Sequence, residues 1–276
     1  RDAYGFKRPV EWVDIQELET FQVYYQRILA RQAEKWRGYM KENKGHWPSK
    51  DAKLIRYARK GIPQELRAKA WLHYSGAQHK MDTCVGHYEE LLQQAEEMGD
   101  RNEYADIIQR DLHRTFPDNS HFCCAVSQED GSVTMDPSTN DHLQKLKRVL
   151  LAFSLYLPQV GYCQSLNFLA GYFILLLEEE EAFWLLVMTI TEYFPPGMFD
   201  SSLEGATIEQ AVLMQSIYEK MPGVWNKIAN KRCFWECEQT NRLPSITLVT
   251  GHWFMTLFIN ILPVETVLRV WDSLYM

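Results

Sequence analysis

Residues 141–157 read DHLQKLKRVLLAFSLYL, and this stretch decides the fold class. Its apolar side chains recur at intervals of three and four residues, at Leu143, Leu146, Val149, Leu150, Phe153 and Leu157. Because an α-helix turns once in about 3.6 residues, this spacing places all of these side chains on one face. The stretch therefore predicts an amphipathic α-helix whose apolar face is buried.

The same periodicity extends over most of the chain and predicts an all-α fold built from many helices. A long first helix is predicted from Asp14 to Tyr39, and Ser49 is expected to N-cap a helix running from Lys50 to Lys60. Further helices are predicted at residues 63–74, 84–98, 102–113, 164–177, 180–193, 204–221 and 245–261. Residues 119–140 are polar and predict a long loop, and loops of that length inside compact domains are usually functional or mobile.

Composition excludes several classes of protein. The chain has 276 residues, of which 46% are hydrophobic and 24% charged, values typical of a soluble globular protein. A net charge of -7 argues against non-specific binding to nucleic acid. The longest apolar stretch, residues 168–177, is far shorter than the about 20 residues that a membrane span needs. No glycine-rich loop ends in Gly-Lys-Ser/Thr, so the chain is expected to bind no nucleoside triphosphate of its own.

The six cysteines are too sparse for a disulfide framework and predict reduced thiols. Cys233 and Cys237 have helical spacing, which suits either two zinc ligands or two buried thiols. No second Cys or His pair has a suitable spacing, so the pattern favours buried thiols. Cys163 has no local signature of a histidine partner and is not predicted to be a nucleophile.

Two short motifs carry the candidate chemistry: IQRDLHRT at residues 108–115 and GYCQSLN at residues 161–167. The first contains Arg114 and the second Gln164. A guanidinium that is always charged and a neutral amide are poorly suited to acid–base chemistry. They are well suited to stabilising phosphoryl charge and to orienting a water molecule.

Taken from the residues alone, both candidates keep two interpretations. Arg114 is either a cation at a helix C-terminus, paired with Asp111 one turn back, or a residue that stabilises a transition state. Gln164 is either a polar residue in a first helical turn or an amide that orients water. Asn167 is expected on the same helix face as Gln164, where it either supports that residue or contacts a partner. Tyr162 is expected to pack rather than to react.

The two motifs resemble those of the TBC domain, the catalytic domain of GTPase-activating proteins for Rab-family small GTPases. Two further stretches follow that family's order: RKGIP at residues 59–63, with Arg67 and Trp71 downstream, and RVWD at residues 269–272. Ser165 and Leu166 stand where the family usually has glycine and methionine. Arg67 and Trp71 are predicted to stack on one helix face and to support the site.

The resemblance also implies a domain organisation. Residues 1–54 are expected to form an N-terminal helical extension and residues 55–276 a TBC-like domain, truncated at its C-terminus because more helices normally follow in the family. Two packed helical lobes are expected to meet near Pro195. The segment 119–140 follows the arginine motif and is expected at the partner surface. Arg269, Trp271 and Asp272 are expected to be structural, with Arg269 pairing an acid inside the domain.

The function that the resemblance implies is activation of a Rab GTPase in its GTP-bound state. Arg114 is then an arginine finger and Gln164 a glutamine finger, both supplied in trans, with Asp111 steering the guanidinium or tying down the backbone. The chain needs no cofactor of its own, because GTP and Mg²⁺ are carried by the partner, and it is not itself a nucleotide hydrolase. The implied setting is cytoplasmic vesicle trafficking, with peripheral membrane recruitment through regions outside this chain.

An alternative function is a non-catalytic module that binds a Rab or acts as a scaffold with the same fold. Ser165 and Leu166 are the local departures that support it. The retention of both Arg114 and Gln164 favours the catalytic interpretation.

Overall fold

The computed structural model describes residues 1–8, 13–123, 125–127, 133–239 and 243–276. Within these ranges the regular secondary structure is helical apart from one short β-hairpin, which confirms the predicted all-α class. In chain order the helices are α1 (Ile15–Glu42), α2 (Ala52–Ala58), α3 (Gln64–Ser75), α4 (Ala77–Thr83), α5 (His87–Met98), α6 (Ala105–Leu112), α7 (Asp141–Tyr156), α8 (Leu166–Ile174), α9 (Glu179–Met188), α10 (Glu204–Lys220), α11 (Pro222–Ile228), α12 (Phe234–Gln239), α13 (Thr247–Met255) and α14 (Val264–Leu274).

The hairpin corrects the prediction of a continuous loop over residues 119–140. Strands β1 (Ala125–Ser127) and β2 (Val133–Met135) pair antiparallel, with Ala125 opposite Met135. Strands this short contain too few residues to show a readable alternation of apolar and polar positions. Residues 124 and 128–132, which belong to the same predicted loop, lie outside the described residues.

Helix α7 is the central element of the fold, and it confirms the helix predicted over residues 141–157. It packs against α5, α6, α8 and α9. Its predicted apolar stripe is buried along its whole length, from Leu143 to Leu157. The Asn140 side chain caps its first turn by accepting a hydrogen bond from the Leu143 N–H. Because the two candidate motifs flank α7 in sequence, its burial anchors both of them.

Several helix boundaries differ from their predictions for local reasons. Asp51, not Ser49, caps α2, because its carboxylate accepts the Leu54 N–H at 2.7 Å. Helix α9 ends in a π-helical turn, Thr189–Tyr193, so the predicted helix there is not regular to its end. The periodicity does not predict helices α4, α11, α12 and α14. Of these, α4, α11 and α12 are only six or seven residues long. Short helices give too few repeats of the apolar spacing to be recognised.

A buried carboxylate on α14 joins that helix to α3 and to the turn before it. Asp272 of α14 is fully buried and accepts four hydrogen bonds. The donors are the Ile62 N–H at 2.8 Å, Arg67 Nε at 3.0 Å and Nη2 at 3.3 Å, and Trp71 Nε1 at 3.0 Å. Burial raises the pKa of Asp272, and the Arg67 guanidinium counters that shift. Buried charges persist in proteins when they are paired and hydrogen-bonded in this way.

Two hydrophobic cores correspond to the two expected lobes. The larger core takes residues from α1 to α9 and from α14, including Trp71, Phe153 and Trp271. The smaller core lies among α10, α11 and α12, around Met214 and Trp225. The buried residues of the larger core stop at Phe199 and resume at Ile259, just before α14. The larger core is therefore built from both ends of the sequence.

We expect Asp272→Asn to lower the free energy of unfolding by about 3–5 kcal/mol, because it removes the buried counter-charge of Arg67 and leaves only the partly exposed Glu265 beside the guanidinium. Urea denaturation measures this loss. The matched control is Glu265→Gln, which removes a 43% exposed carboxylate lying 3.5 Å from the same guanidinium. We expect it to cost less than about 1 kcal/mol. Equal losses for the two variants would contradict the role given to Asp272.

Candidate functional site

The arginine motif lies at the C-terminal end of α6. Arg114 follows the last helical residue, Leu112, and its side chain is 50% exposed. Its Nη2 atom lies 2.5 Å from Oδ1 of Asp111, whose side chain is buried. Ile108 and Leu112 are fully buried and fix this end of α6 in the core. The guanidinium is thus held at its inner edge by a buried carboxylate while its outer half faces solvent.

Tyr162 of the second motif makes the next contact to the same carboxylate. Its hydroxyl donates to Oδ2 of Asp111 at 2.6 Å. Burial raises the pKa of the Tyr162 phenol well above its ordinary value, and the Asp111 carboxylate adds to that shift. The phenol therefore stays protonated and remains a donor, as the packing role predicted for Tyr162 requires.

A second hydrogen-bonded connection joins the two motifs through Asn167. Its Nδ2 donates to Oγ1 of Thr115 at 2.8 Å, and the Thr115 hydroxyl donates to the Asp111 carbonyl at 2.6 Å. Its Oδ1 accepts the Ser165 N–H at 3.2 Å. Asn167 is fully buried, so of the two roles expected for it only internal support of the Gln164 turn fits the structure.

Gln164 lies exposed in the turn that precedes α8. The prediction that a helix begins at Gln164 is wrong, because α8 begins at Leu166. Ser165 has φ +106°, a backbone conformation incompatible with a continuous right-handed helix. Among the described residues, no group hydrogen-bonds the Gln164 side-chain amide. The amide is therefore free to donate and to accept towards a partner.

Gly161 explains how the second motif comes so close to the first. Its φ is +59°, and a Cβ atom built there would lie 2.2 Å from Cζ of Tyr104. Tyr104 is the N-cap residue of α6, the helix that carries the arginine motif. Only glycine permits both this φ and this approach. The glycine of one motif thus packs against the helix that positions the other.

The N-terminal residues also support the arginine motif, and sequence reasoning missed them. The Tyr4 carbonyl accepts a hydrogen bond from Nδ2 of Asn119 at 2.9 Å. The Phe6 ring packs edge-on against Phe116, with ring centroids 5.3 Å apart. Tyr4 is buried in the larger core. The aromatic character of Tyr4 and Phe6 was the sole signal in the sequence, and it names no partner.

Arg67 and Trp71 lie apart from the cluster around Asp111. Their predicted stacking is wrong, because both side chains donate to Asp272 instead. The expectation that Arg269 pairs an acid is also wrong within the described part of the chain. Its Nη2 donates to the Arg59 carbonyl at 3.1 Å, and it forms no ion pair there. The structure thus brings Asp111, Arg114, Tyr162, Gln164 and Asn167 together and leaves Arg67 and Trp71 in the Asp272 cluster.

Among the described thiols and acids, no second reactive centre is found. Burial raises the pKa of the Cys163 thiol, the opposite of what an activated nucleophile needs. Cys237 is buried and Cys233 is exposed, with its sulfur 3.7 Å from the Tyr218 hydroxyl. Within the described ranges no group of three His, Cys, Asp or Glu side chains is placed to hold a metal ion. Cys124 lies outside those ranges.

Among the described residues, no helix combines the length and the apolar character needed to cross a membrane.

Comparison with known proteins identifies the family. A model of the Rab-GTPase-TBC domain matches residues 64–276. The chain is 38% identical to the GTPase-activating protein GYP3 of Saccharomyces cerevisiae, over 99% of this chain and 47% of that protein. It is 36% identical to the GTPase-activating protein MSB4 of the same yeast, over 99% of this chain and 58% of that protein.

The fold is likewise similar to a solved structure. The crystal structure of the Chlamydomonas flagellar RabGAP TBC domain aligns with a TM-score of 0.73 and 28% identity, covering 100% of this chain and 81% of that one. The chain therefore belongs to the Rab-GTPase-TBC domain family, as its motifs predicted. It spans less than two thirds of the length of the two yeast relatives.

We expect Tyr162→Phe to lower the free energy of unfolding by about 1.5–3 kcal/mol, because it removes a hydrogen bond to a buried carboxylate. Chemical denaturation measures the loss. Tyr24→Phe is the matched control, since Tyr24 is 61% exposed. That variant is expected to unfold like the parent chain. A Tyr162→Phe variant as stable as the control would show that the contact to Asp111 contributes nothing.

We expect Ser165→Gly to raise the free energy of unfolding by about 1 kcal/mol, because glycine adopts the φ of +106° without steric cost. Thermal melts at several denaturant concentrations check the sign. Ser154→Gly provides a control with the opposite expectation. Ser154 lies within α7, where glycine is a poor helix former, and its buried hydroxyl donates to the Leu151 carbonyl at 2.8 Å, so this change is expected to cost at least about 1 kcal/mol. A loss of stability in both variants would mean that Ser165 is not strained.

Proposed function

We propose that this chain is a GTPase-activating domain that accelerates GTP hydrolysis by a Rab-family GTPase, supplying Arg114 and Gln164 in trans. One observation carries the proposal. Buried hydrogen bonds from Tyr162 and Asn167 join the arginine and glutamine motifs, while the two polar side chains needed for catalysis remain exposed. The names of the yeast relatives, both called GTPase-activating proteins, support the same activity.

Arg114 provides the positive charge. Its planar guanidinium forms an ion pair with Asp111 on one side, and the side chain stays half exposed, so further N–H groups are available to a partner. Inserted into a GTPase, these groups stabilise the negative charge that develops on the transferred phosphoryl oxygens. Residues of this kind contribute about 10³–10⁵ in rate, which corresponds to roughly 4–7 kcal/mol of barrier. The carboxylate of Asp111 limits the rotamers of Arg114, so less entropy is lost when the partner docks.

Gln164 provides the second group. A side-chain amide donates and accepts at once, so it can hold the attacking water while contacting the phosphoryl group. Its backbone is fixed by Ser165, whose N–H is bonded to the buried Asn167. The partner in its GTP-bound state brings GTP and Mg²⁺, and the chain adds no cofactor of its own. A Rab substrate assigns this activity to vesicle trafficking on the cytoplasmic side of membranes.

We expect Arg114→Ala to lower the single-turnover rate of GTP hydrolysis by about 10³–10⁵ on the Rab that the parent chain activates. Arg114→Lys is expected to restore little, because lysine lacks the planar fork. A panel of GTP-loaded Rabs, followed by phosphate release, identifies the substrate and measures the effect.

Arg110→Ala is the matched control for this experiment. Arg110 lies one turn earlier in α6, is exposed, and donates to the Asp106 carbonyl of its own helix. We expect its loss to leave the rate within about twofold of the parent, as for surface substitutions in general. GTP-dependent binding of a Rab without any acceleration by the parent chain would contradict catalysis and establish the non-catalytic binding module instead.

A further inference from the structure

An open trough lies on the side of the domain where α1 crosses the turn between α2 and α3. Its cavity of about 470 Å³ lies between α1, Lys60 and α14, over an apolar floor formed by Ile28 and Leu29. A smaller cavity of about 180 Å³ continues it and shares Gln32, Lys35 and Lys60. We call these two cavities the basic trough. The cations that line it are Arg31, Lys35, Arg56, Lys60 and Arg269.

The described residues leave the cations of the basic trough without ion-pair partners. Neither cavity is lined by an aspartate or a glutamate. None of the five cations forms an ion pair within the described part of the chain, whereas Lys53, Lys145 and Arg148 elsewhere each do. The whole chain carries a net charge of -7. A cluster of unpaired cations on an acidic protein attracts anions and is costly to maintain without one.

Arg269 gives the basic trough a fixed donor. Its Nη2 is held by the Arg59 carbonyl at 3.1 Å, and its Nε lies 3.6 Å from the position of a Cβ atom built on Gly61. That Nε atom is buried and has no hydrogen-bond partner. Buried donors are usually satisfied, so an unused one beside a cationic cavity points to a missing acceptor. Glu65 and Glu265 line an adjoining cavity that shares Lys60 and Arg269 with the trough, but among the described residues neither carboxylate forms an ion pair with those two cations.

Exposed apolar side chains lie beside the basic trough on the same helix. Phe21 and Tyr24 of α1 are each more than half exposed. The Phe21 ring stacks on Tyr25, which lines the trough, with centroids 5.6 Å apart and planes 13° from parallel. The apolar surface and the basic trough are therefore continuous. Cations beside exposed aromatic side chains are typical of a surface that binds the interface of an anionic membrane.

We propose that the basic trough binds a phosphorylated headgroup, with Phe21 and Tyr24 placed to enter the lipid interface beside it. The trough volume suits one sugar-sized ring with its phosphate groups, and the donors suit phosphate monoesters rather than single carboxylates. The same chemistry is offered by a membrane phosphoinositide and by a free inositol phosphate. The apolar neighbours favour the membrane lipid.

The test is co-sedimentation of the chain with vesicles. One set contains phosphatidylcholine with phosphatidylinositol bisphosphate, and a second carries the same total charge as phosphatidylserine. We expect preferential binding to the first set. Lys35→Glu combined with Lys60→Glu is expected to lower that affinity at least about 25-fold, because each basic residue near an anionic surface contributes about fivefold and the new carboxylates add repulsion. Both lysines are exposed, and circular dichroism verifies that the variant is folded.

The matched control is Lys220→Glu combined with Lys227→Glu, which changes the net charge equally on exposed positions of α10 and α11. Retained vesicle binding by this control supports the trough. Calorimetry with soluble inositol trisphosphate identifies the source of the ligand. Binding there but not to vesicles, abolished by the trough variant, assigns the site to a free inositol phosphate. Equal losses in both variants, or no binding to either probe, would overturn the proposal.

Discussion

The buried carboxylate of Asp111 is the constraint on which the candidate site depends. A buried carboxylate must be stabilised by a counter-charge or by hydrogen-bond donors, and the partners of Asp111 come from the two motifs. Arg114, just beyond the end of α6, forms an ion pair with Oδ1 of Asp111, and the Tyr162 hydroxyl donates a hydrogen bond to Oδ2. Because both motifs bind this carboxylate, the half-exposed Arg114 lies near the turn that carries Gln164. The contacts of Asp111 with Arg114 and Tyr162 therefore contribute both to the stability of the fold and to the proposed catalytic geometry.

A second buried carboxylate, Asp272, organises the rest of the larger core in the same manner. It accepts hydrogen bonds from the RKGIP turn and from α3, so these elements are joined to α14 some 200 residues later in the sequence. Tyr4 connects the Asp272 cluster to the arginine motif. Its hydroxyl accepts a hydrogen bond from Arg67, and its carbonyl accepts one from Asn119, which follows that motif. The N-terminal residues are thereby part of the support for the site. The basic trough lies on the outer side of the Asp272 centre, where Arg269 leaves one donor unused.

Periodicity and motif order predicted the helical class and the family, since α7 and the longer helices carry many turns of regular apolar spacing. The same reasoning failed where a tertiary partner decides the outcome. Ser165 adopts a positive φ that no propensity favours, and the helix after it starts later than predicted. Arg67 and Trp71 have the spacing for stacking, yet both side chains donate hydrogen bonds to Asp272, about 200 residues later in the sequence. The contact of Phe6 with Phe116 has no local signal at all. Such long-range pairings become visible once the fold is known.

The most direct test of the account is a double-mutant cycle on GTP hydrolysis with Arg114→Ala, Gln164→Ala and the combined variant, all on one responsive Rab. Residues that act as a unit on a single transition state lose far less together than the product of their separate losses. The account predicts that the combined variant is scarcely slower than the worse single variant. Losses that multiply would show two independent groups and would contradict a site assembled by Asp111, Tyr162 and Asn167.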